Sequence, residues 1–280
     1  MAINFADTMV EKPSNNLMVV DALNLAFRWK HQGKLNFADD YVNTVMSLAK
    51  SYNSGSVIIV ADQGSSLFRK EIYPDYKNNR KIAHQNQTDI EKKEFEAFFK
   101  EFERTLDLLA TKYPVFRYQG VEADDLAAWI VRNKSKYNFD SIWLISSDRD
   151  WDLLVADGVN RFSYVTRKEI TVDTWDYAVS RDMYISYKCL IGDSGDNIPG
   201  IPGIGPKRAA LLIEQYGDAM DIYEACPIAG KYKYIEALNE NKSLILLNYE
   251  LMDLVTFCEE AIGVENVRDL EWRLNEYRLQ

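Results

Sequence analysis

The sequence predicts an α/β fold with a central, mostly parallel sheet flanked by helices. Two short apolar runs, 17–21 and 57–62, each end in an aspartate, as buried parallel strands with polar carboxyl ends do. Two further apolar runs, 115–118 and 142–145, repeat the pattern, and segments with helical spacing, 39–52 and 123–131, lie between the runs. The alternation of strand and helix favours a doubly wound sheet, in which ligands bind beyond the carboxyl ends of the strands.

The chain divides by composition into three predicted parts. Residues 1–16 carry no continuous apolar run and are predicted to be a flexible tail, followed by an α/β core over 17–184. Within the core, 69–93 is rich in lysine, arginine and amides, which indicates a mobile basic insertion before a helical pattern begins at Phe95. From about 185 to 280 the sequence is helical, interrupted by a glycine- and proline-rich stretch at 192–206, and is predicted to form a second subdomain.

Composition restricts the class of protein. With 280 residues, 47% of them apolar, the chain has enough material for a sizeable core. It contains no signal-peptide pattern and no apolar run near the roughly 18 residues of a membrane helix. The three cysteines lack metal-site spacing, so we expect a soluble cytoplasmic protein. A net charge of -10 argues against a nucleic-acid partner unless the acids are concentrated in a metal site.

Acidic residues follow the predicted strands in a regular way. A single aspartate at a strand end is usually a turn or helix cap. Because the carboxyl ends of parallel strands lie along one edge, we expect the acids after four strands to converge there instead. A further acidic pair lies downstream in the glycine-rich stretch. The candidate residues are Asp21, Asp62, Glu122, Asp124, Asp125, Asp148, Asp150, Asp193 and Asp196.

So many carboxylates in one cleft require a cation. Oxygen ligands without histidine or cysteine favour magnesium or manganese and argue against zinc. The spacing of Asp148 and Asp150 predicts that both face one side if their strand continues. Leu153 occupies the glycine position of a calcium loop, and Leu23 replaces the second acid of an aspartate-nucleophile phosphatase, so neither site is expected.

Two basic segments indicate phosphate binding. Gly203 and Gly205 precede a predicted helix that begins at Pro206 and carries Lys207 and Arg208 in its first turn, against the usual preference for acids there. A bound anion explains this pattern, although the glycines alone fit an ordinary loop equally well.

The second basic segment, 76–81, combines a tyrosine with three cationic side chains. This composition suits charge and stacking contacts with a single strand, and it equally suits a solvated surface loop.

Four strings together resemble the signatures of the 5′ nuclease family, which includes phage flap endonucleases and the 5′ to 3′ exonuclease domain of bacterial DNA polymerase I. They are the valine pair before Asp21, Glu-Ala-Asp-Asp at 122–125, Asp-Arg-Asp-Trp at 148–151, and the long string at 192–207. The resemblance spans about residue 17 to the carboxyl end. It implies a PIN-like core, a helical arch at about 69–113, and a helix-hairpin-helix that grips duplex DNA.

The resemblance also implies roles for individual residues. One metal site would use Asp21, Asp62, Glu122, Asp124 and Asp125, and a second would use Asp148, Asp150, Asp193 and Asp196. The implied catalytic residues are Lys77, Arg80, Asp124 and Asp150. The implied DNA contacts are Tyr76, Lys77, Arg80, Gly203, Gly205, Lys207 and Arg208. The implied cofactors are two or more Mg²⁺ ions, for which Mn²⁺ would substitute, and K⁺ at the hairpin.

The implied activity is two-metal hydrolysis of DNA at 5′ flaps, gaps and free 5′ ends, with RNA tolerated in the cut strand. The implied protein is a monomer that acts in phage DNA replication, in the cytoplasm of an infected host. Asn78 stands where the family usually has glycine, and Gln63 and Ser65 stand where relatives often have lysine. Those departures bear on affinity for the 5′ strand. Two alternatives stay open: a structure-specific DNA-binding protein without activity, and a PIN-type ribonuclease.

Overall fold

The computed structural model describes residues 15–279, and the side chains as far as residue 277. The predicted tail lies outside these residues apart from its last two positions, and Asn16 already begins the first strand. No helix between residues 15 and 279 is both long and apolar enough to cross a membrane.

The described chain contains one six-stranded sheet with the strand order β3-β2-β1-β4-β5-β6. Strands β1 to β5 are parallel, and β6 pairs antiparallel with β5 at one edge. The order reverses between β1 and β4, which is where a doubly wound sheet opens a crevice for ligands. The strands are β1 (Asn16–Asp21), β2 (Ser54–Val60), β3 (Val115–Phe116), β4 (Ile142–Ile145), β5 (Val159–Ser163) and β6 (Lys168–Ile170).

Helices connect the strands and form most of the carboxyl-terminal part. Up to residue 132 they are α1 (Ala22–His31), α2 (Ala38–Ser51), α3 (Leu67–Ile72), α4 (Asn78–Gln85), α5 (Asp89–Ala110) and α6 (Ala123–Arg132). Beyond the sheet they are α7 (Tyr184–Ile191), α8 (Pro206–Tyr216), α9 (Ala219–Ala225), α10 (Lys233–Glu240), α11 (Ser243–Met252), α12 (Leu254–Ile262) and α13 (Val264–Leu279).

The first strand shows why its sequence is apolar at every position. Leu17 and Val19 point into a core shared with α6, whereas Met18 and Val20 point into a core shared with α1, α2 and α5. Successive side chains of a strand face opposite sides, so a sheet covered on both faces needs apolar residues without alternation. The predicted α/β fold is therefore confirmed.

A third core is formed by the helices that follow the sheet. It contains residues of α7, α8, α9, α10 and α11, and it also includes the ring of Tyr76 from the segment before α4. Helix α12 packs instead against α6, and α13 packs against α12. Both helices contribute to the core that contains α6, through Leu254, Cys258, Ile262, Leu270 and Leu274. The last helices thus complete a core of the sheet. The predicted boundary between an α/β core and a second subdomain, at residues 184 and 185, stays a prediction.

Three local features differ from expectations based on composition and spacing. Strands β5 and β6 were not predicted. The segment 69–93, whose composition indicated a mobile insertion, contains the end of α3, all of α4 and the start of α5. Asp148 and Asp150 do not lie on a continuing strand. Asp148 caps a short 3₁₀ helix, Arg149–Leu154, by accepting a hydrogen bond from the amide of Asp150. The prediction of a shared strand face was wrong because this cap turns the chain directly after β4.

The loop between α7 and α8 depends on two glycines. Gly192 has a φ of +69°, and a Cβ there would lie 2.3 Å from the amide nitrogen of Gly200. A Cβ on Gly200 would lie 2.1 Å from the carbonyl oxygen of Ile191. The two chain segments therefore touch backbone to backbone, which only glycine permits.

Candidate active site at the carboxyl edge of the sheet

The fold brings the predicted acids to one edge of the sheet. Asp21 is the last residue of β1, Asp62 follows β2 by two residues, and Asp148 follows β4 by three. Glu122 is the amino-terminal cap of α6, whose first turn carries Asp124 and Asp125. Glu122, Asp124 and Asp125 thus lie at the start of one helix.

Ser146 holds two of the carboxylates next to each other. Its hydroxyl donates a 2.7 Å hydrogen bond to Asp21 and accepts one of 3.1 Å from the amide of Asp148. Burial, together with the Asp62 carboxylate, raises the pKa of Asp21 to about 8. Burial and the adjacent Asp150 raise the pKa of Asp148 to about 6. Burial and the neighbouring carboxylates thus favour the protonated forms of both groups when no metal ion is bound.

Asp62 accepts a hydrogen bond from α6, and Asp124 accepts one from the 3₁₀ helix. The amide of Ala123 donates to Asp62 over 2.7 Å, and the indole nitrogen of Trp151 donates to Asp124 over 2.6 Å. Burial raises the pKa of both carboxyl groups, and neighbouring carboxylates raise them further. These two acids resemble Asp21 in being buried among like charges.

Glu122 has the opposite environment. Its carboxylate accepts hydrogen bonds of 2.8 Å from Lys77 and from the hydroxyl of Tyr76, and one of 3.3 Å from Arg69. Burial raises the pKa of Glu122, but Lys77 and Arg69 outweigh burial and bring it down to about 2. Glu122 is therefore ionised and already paired.

Asp125 is fully buried and paired with Arg69. The guanidinium donates hydrogen bonds of 2.7 and 2.8 Å to the two carboxylate oxygens, and its Nε donates to the carbonyl oxygen of Leu251 over 2.8 Å. The structure thus gives Asp125 a different partner from the predicted metal ion. Arg69 joins α3, α6 and the end of α11.

The downstream acids surround Lys188. This lysine, on α7, is buried and contacts both Asp150 and, at 3.2 Å, Asp193. Lysine opposes the effect of burial and lowers the pKa of Asp193. Asp193 also accepts hydrogen bonds from the amides of Gly195 and Asp196, which fixes the loop before the hairpin.

The predicted arch residues contact the same acids. Lys77 has a left-handed φ of 56° and directs its ammonium group to Glu122 and, at 3.5 Å, to Asp196. Arg80 contacts Asp196, whose other oxygen accepts a 3.1 Å hydrogen bond from Tyr76. Burial raises the pKa of Asp196 although these cations oppose it. Asn78, at the position of the family glycine, begins α4.

The predicted hairpin residues lie on the surface. Gly203 has a φ of +77°, Gly205 caps α8, and Pro206 is the first residue of that helix. Lys207 and Arg208 are exposed in its first turn. Arg208 donates a 2.6 Å hydrogen bond to the carbonyl oxygen of Gly203, so the hairpin geometry is held from within.

One cavity lies beside the acids that surround Lys188. It has a volume of about 610 Å³ and is lined by Asp148, Asp150 and Asp193 together with Lys188 and, from α8, Pro206. Within the part of the chain that the structure describes, no three acids lie close enough together to hold an ion as they stand. Lysine and arginine side chains occupy several carboxylate oxygens instead.

The donor set nevertheless fits hard divalent cations. Asp21, Asp62, Asp124 and Asp148 all have raised pKa values, so a cation among them would stabilise their ionised forms. Carboxylate oxygens are the ligands that Mg²⁺ and Mn²⁺ prefer.

Four residues that contact the predicted acids were not predicted. They are Arg69, Ser146, Trp151 and Lys188. Trp151 belongs to the Asp-Arg-Asp-Trp string, and its position close to three acids in the sequence is the feature that could have marked it as a site residue. For Arg69 the partner Asp125 is 56 residues away in the chain, so no local pattern marks it. Lys188 has one partner, Asp193, five residues away, and another, Asp150, 38 residues away.

Comparison with known proteins gives two family matches that cover most of the chain. Residues 16–181 match the 5'-3' exonuclease N-terminal resolvase-like domain, and residues 179–275 match the 5'-3' exonuclease C-terminal SAM fold. The chain belongs to the 5′-3′ exonuclease family.

Individual members of the exonuclease family are similar over most of this chain. It is 44% identical over 252 residues to the flap endonuclease of Escherichia phage T5, covering 89% of this chain and 86% of that protein. It is 32% identical to DNA polymerase I of Borreliella burgdorferi, covering 90% of this chain but 28% of the polymerase. A crystal structure of bacteriophage T5 D15 flap endonuclease, a pseudo-enzyme-product complex with DNA and metal ions, superposes with a TM-score of 0.90 at 41% identity, covering 95% of this chain and 100% of that one.

Proposed function

We propose that this member of the 5′-3′ exonuclease family is a magnesium-dependent, structure-specific 5′ nuclease that hydrolyses DNA at 5′ flaps, gaps and free 5′ ends. The observation that carries the proposal is the convergence of acids from β1, β2, α6, the 3₁₀ helix and the loop after α7 with Lys77 and Arg80. The similarity to phage T5 flap endonuclease supports the same conclusion.

We assign the acids to two groups of metal ligands. Asp21, Asp62 and Asp124 carry raised pKa values and form the first group together with Glu122. Asp148, Asp150, Asp193 and Asp196 form the second group, around the cavity that reaches α8. Asp125 is assigned to hold α6 through Arg69 and to act on the metal site indirectly.

Bound Mg²⁺ would lower the pKa of a water nucleophile and offset the charge of the scissile phosphate. Lys77 and Arg80 supply the remaining positive charge. In the described chain Lys77 forms an ion pair with Glu122, and Arg80 forms one with Asp196. A phosphate bound at this edge would replace these carboxylates as the anionic partner of the two cations. The Tyr76 hydroxyl has one proton to donate and lies 2.8 Å from Glu122 and 3.1 Å from Asp196, so it aligns this segment with both acids.

We assign the hairpin before α8 to binding the phosphate backbone of the duplex. Gly203 and Gly205 allow close approach, the first amides of α8 face the anion, and Lys207 and Arg208 add charge. Backbone contacts carry no direct sequence information, so the shape of the junction would set specificity. We place K⁺ at the same loop.

The remaining expectations form part of the proposal. The products would carry a 5′ phosphate and a 3′ hydroxyl, Mn²⁺ would replace Mg²⁺, and RNA would be accepted in the cut strand. The protein would act as a monomer in phage DNA replication in the cytoplasm of the infected host. Residues 17–184 would form the catalytic unit, with the arch at about 69–113, and 185–280 the DNA-binding unit.

An end-labelled 5′-flap DNA tests the proposal. The wild type is expected to cut near the junction in Mg²⁺ and not in EDTA, and Asp124→Ala is expected to bind the flap without cutting it. Intact flap despite tight binding by the wild type would favour the inactive DNA-binding protein. Preferential cutting of a matched RNA flap would favour the ribonuclease.

A further inference from the structure

Two chain segments that carry site residues lie side by side at the acidic edge. One is the segment 75–80, which runs into α4 and carries Lys77 and Arg80; we call it the lysine segment. The other is the loop 193–197 after α7, which we call the aspartate loop. Asn79 of the first and Ser194 of the second are 115 residues apart in the sequence. Contacts between the two segments therefore decide how closely they stay together.

One kind of contact between the two segments is ionic. Arg80 and, at 3.5 Å, Lys77 form ion pairs with the carboxylate of Asp196. The proposed function assigns this carboxylate to a metal ion and the two cations to a phosphate. The ion pairs would be given up when those partners bind, so a different kind of contact must hold the segments together during the reaction.

The other kind of contact is a set of neutral hydrogen bonds to main-chain carbonyl oxygens. The side-chain amide of Asn79 donates to Ser194 over 2.9 Å and to Gly195 over 3.2 Å. In return, the side-chain amide of Asn197 donates to the carbonyl oxygen of Asp75 over 2.8 Å. Carbonyl oxygens only accept, so they fix the orientation of both amide groups. We call Asn79 and Asn197 the asparagine clasp.

The main chains of the two segments are joined as well. The amide of Lys77 donates to the carbonyl oxygen of Asp196 over 2.9 Å. Lys77 and Asn197 both have a left-handed backbone, with φ angles of 56° and 60°. This conformation is unfavourable for lysine and persists where surrounding contacts hold it, whereas asparagine adopts it more readily. The clasp bonds to residues on both sides of Lys77 and so supports the strained backbone there.

Helix α4 depends on polar contacts for its position. None of the described residues of α4 is buried. A helix in a protein is usually held by an apolar face packed against the rest of the fold. At the far end of α4 the ring of His84 contacts that of Phe95, and at its first turn the clasp joins it to the aspartate loop. Loss of the clasp should therefore release the start of this helix.

We propose that Asn79 and Asn197 are positioning residues for the proposed hydrolysis, on which this assignment rests. The clasp donates to main-chain carbonyl oxygens, so it stays in place when Lys77 and Arg80 exchange their carboxylate partners for a phosphate. It thereby keeps the two cations next to the aspartate loop throughout the reaction. The asparagines act through Lys77 and Arg80.

Amide hydrogen exchange of the DNA-free protein tests the clasp without any nuclease activity. Asn79→Ala/Asn197→Gly removes both donors, while glycine keeps the left-handed backbone accessible at 197. Peptides covering 75–85 should exchange about tenfold faster in this variant than in the wild type in EDTA, because lost hydrogen bonds favour local opening. The protection of the wild type should persist in saturating Mg²⁺. Equal exchange in variant and wild type, or protection that Mg²⁺ abolishes, would overturn the proposal.

A matched variant controls for the substitutions themselves. Asn43→Ala/Asn138→Gly makes the same two changes at an exposed asparagine of α2 and at an exposed asparagine with a φ of 52° before β4. It should leave both the exchange of 75–85 and the rate of flap cleavage at the wild-type level. Equal effects of the two double variants would remove the case for a clasp.

Single-turnover cleavage and metal affinity together test the positioning role. The clasp variant should cut a 5′-flap DNA about 10- to 100-fold more slowly at saturating enzyme, since a misplacement of about 1 Å can cost about 100-fold. Its affinity for Mn²⁺, measured by calorimetry, should stay at the wild-type level, because Asp193 keeps its hydrogen bonds from the amides of Gly195 and Asp196 within the aspartate loop. An unchanged cleavage rate, or a parallel loss of Mn²⁺ affinity, would contradict the positioning role. A wild type that binds the flap without cutting it contradicts the proposed function, and the exchange measurement still decides whether the clasp holds the two segments.

Discussion

The guanidinium of Arg69 and the carboxylate of Asp125 form a bidentate ion pair of 2.7 and 2.8 Å, and both side chains are buried. The same guanidinium reaches Glu122 and the carbonyl oxygen of Leu251. Removing one partner of a buried pair leaves an uncompensated charge. We expect Arg69→Met to lower the free energy of unfolding by about 3–5 kcal/mol, measured by urea denaturation.

A surface pair provides the control for Arg69. Arg104 is half exposed and pairs with Glu101 and Asp39, so Arg104→Met should lower stability much less than Arg69→Met does. Asp125→Asn should be as damaging as Arg69→Met. A mild effect of Asp125→Asn together with loss of metal binding would instead show that Asp125 is a direct ligand.

The raised pKa values of Asp21 and Asp148 predict an unusual pH dependence of stability. Their folded pKa values are about 8 and about 6 against a usual 3.8, so the folded state binds more protons than the unfolded state between these limits. Stability in EDTA should fall as pH rises from about 4 to 8, by up to about 1.4 kcal/mol per pH unit for each group. Glu122, with a pKa of about 2, acts in the opposite sense and only below about 4.5.

Asp21→Asn and Mg²⁺ give two checks on this pH dependence. The variant should flatten the decline above pH 6, where only Asp21 of the pair still titrates, and saturating Mg²⁺ should remove most of the decline in the wild type. Stability that rises steadily from pH 4 to 8 in EDTA would contradict the assigned environments.

Lys188 occupies the space between Asp150 and Asp193, where the second group of ligands is assigned. Because its ammonium competes with a metal ion for the same oxygens, Lys188→Met should bind Mn²⁺ more tightly at that group, measured by isothermal titration calorimetry. The same variant should be less stable in EDTA, since two acids lose their cation. Weaker Mn²⁺ binding would mean that the lysine shapes the site and does not compete for it.

Trp151 positions Asp124 through a 2.6 Å hydrogen bond from its indole nitrogen. Trp151→Phe keeps a buried aromatic ring but removes the donor, so we expect the rate of flap cleavage to fall about 10- to 100-fold, as for other groups that orient metal ligands. The effect should be much smaller in an Asp124→Asn background. Equal losses in both backgrounds would point to general damage to the fold.

Gly192 and Gly33 form a matched pair for testing the loop between α7 and α8. Their φ angles are +69° and +67°, but a Cβ at Gly33 meets nothing within 4 Å, whereas one at Gly192 meets the Gly200 amide at 2.3 Å. Gly33→Ala should cost about 1–2 kcal/mol for the left-handed backbone alone. Gly192→Ala should cost clearly more in urea denaturation, and equal costs would show that the loop moves apart freely.

Where the sequence predicted structure correctly, the signal was local. The run before Asp21 is apolar at four consecutive positions and ends in an acid, so both the strand and the direction of its polar end could be inferred. The acids of 122–125 likewise marked the start of α6. The convergence of these acids followed from the parallel sheet and needed no knowledge of side-chain contacts.

Strand β5 was missed because of a contact between separate parts of the chain. Strand β5 contains Arg161, which is buried because Asp152 and the carbonyl oxygen of Ser146 take up its guanidinium. A charged residue inside a short segment argues against a buried strand, because burying a charge without a partner is unfavourable. Here the ion pair with Asp152 makes burial possible, and that pair is visible only in the folded structure. The contact between the guanidinium of Arg28 and the ring of Tyr164 is hidden for the same reason, since the two residues come from separate parts of the chain.

The place of α12 and α13 in a core of the sheet bears on what completes that core. Leu254, Cys258, Ile262, Leu270 and Leu274 share it with residues that begin at Leu17. Side chains from the first strand and from the last two helices therefore meet in one core, and the first half of the chain has that core complete only when both helices are in place.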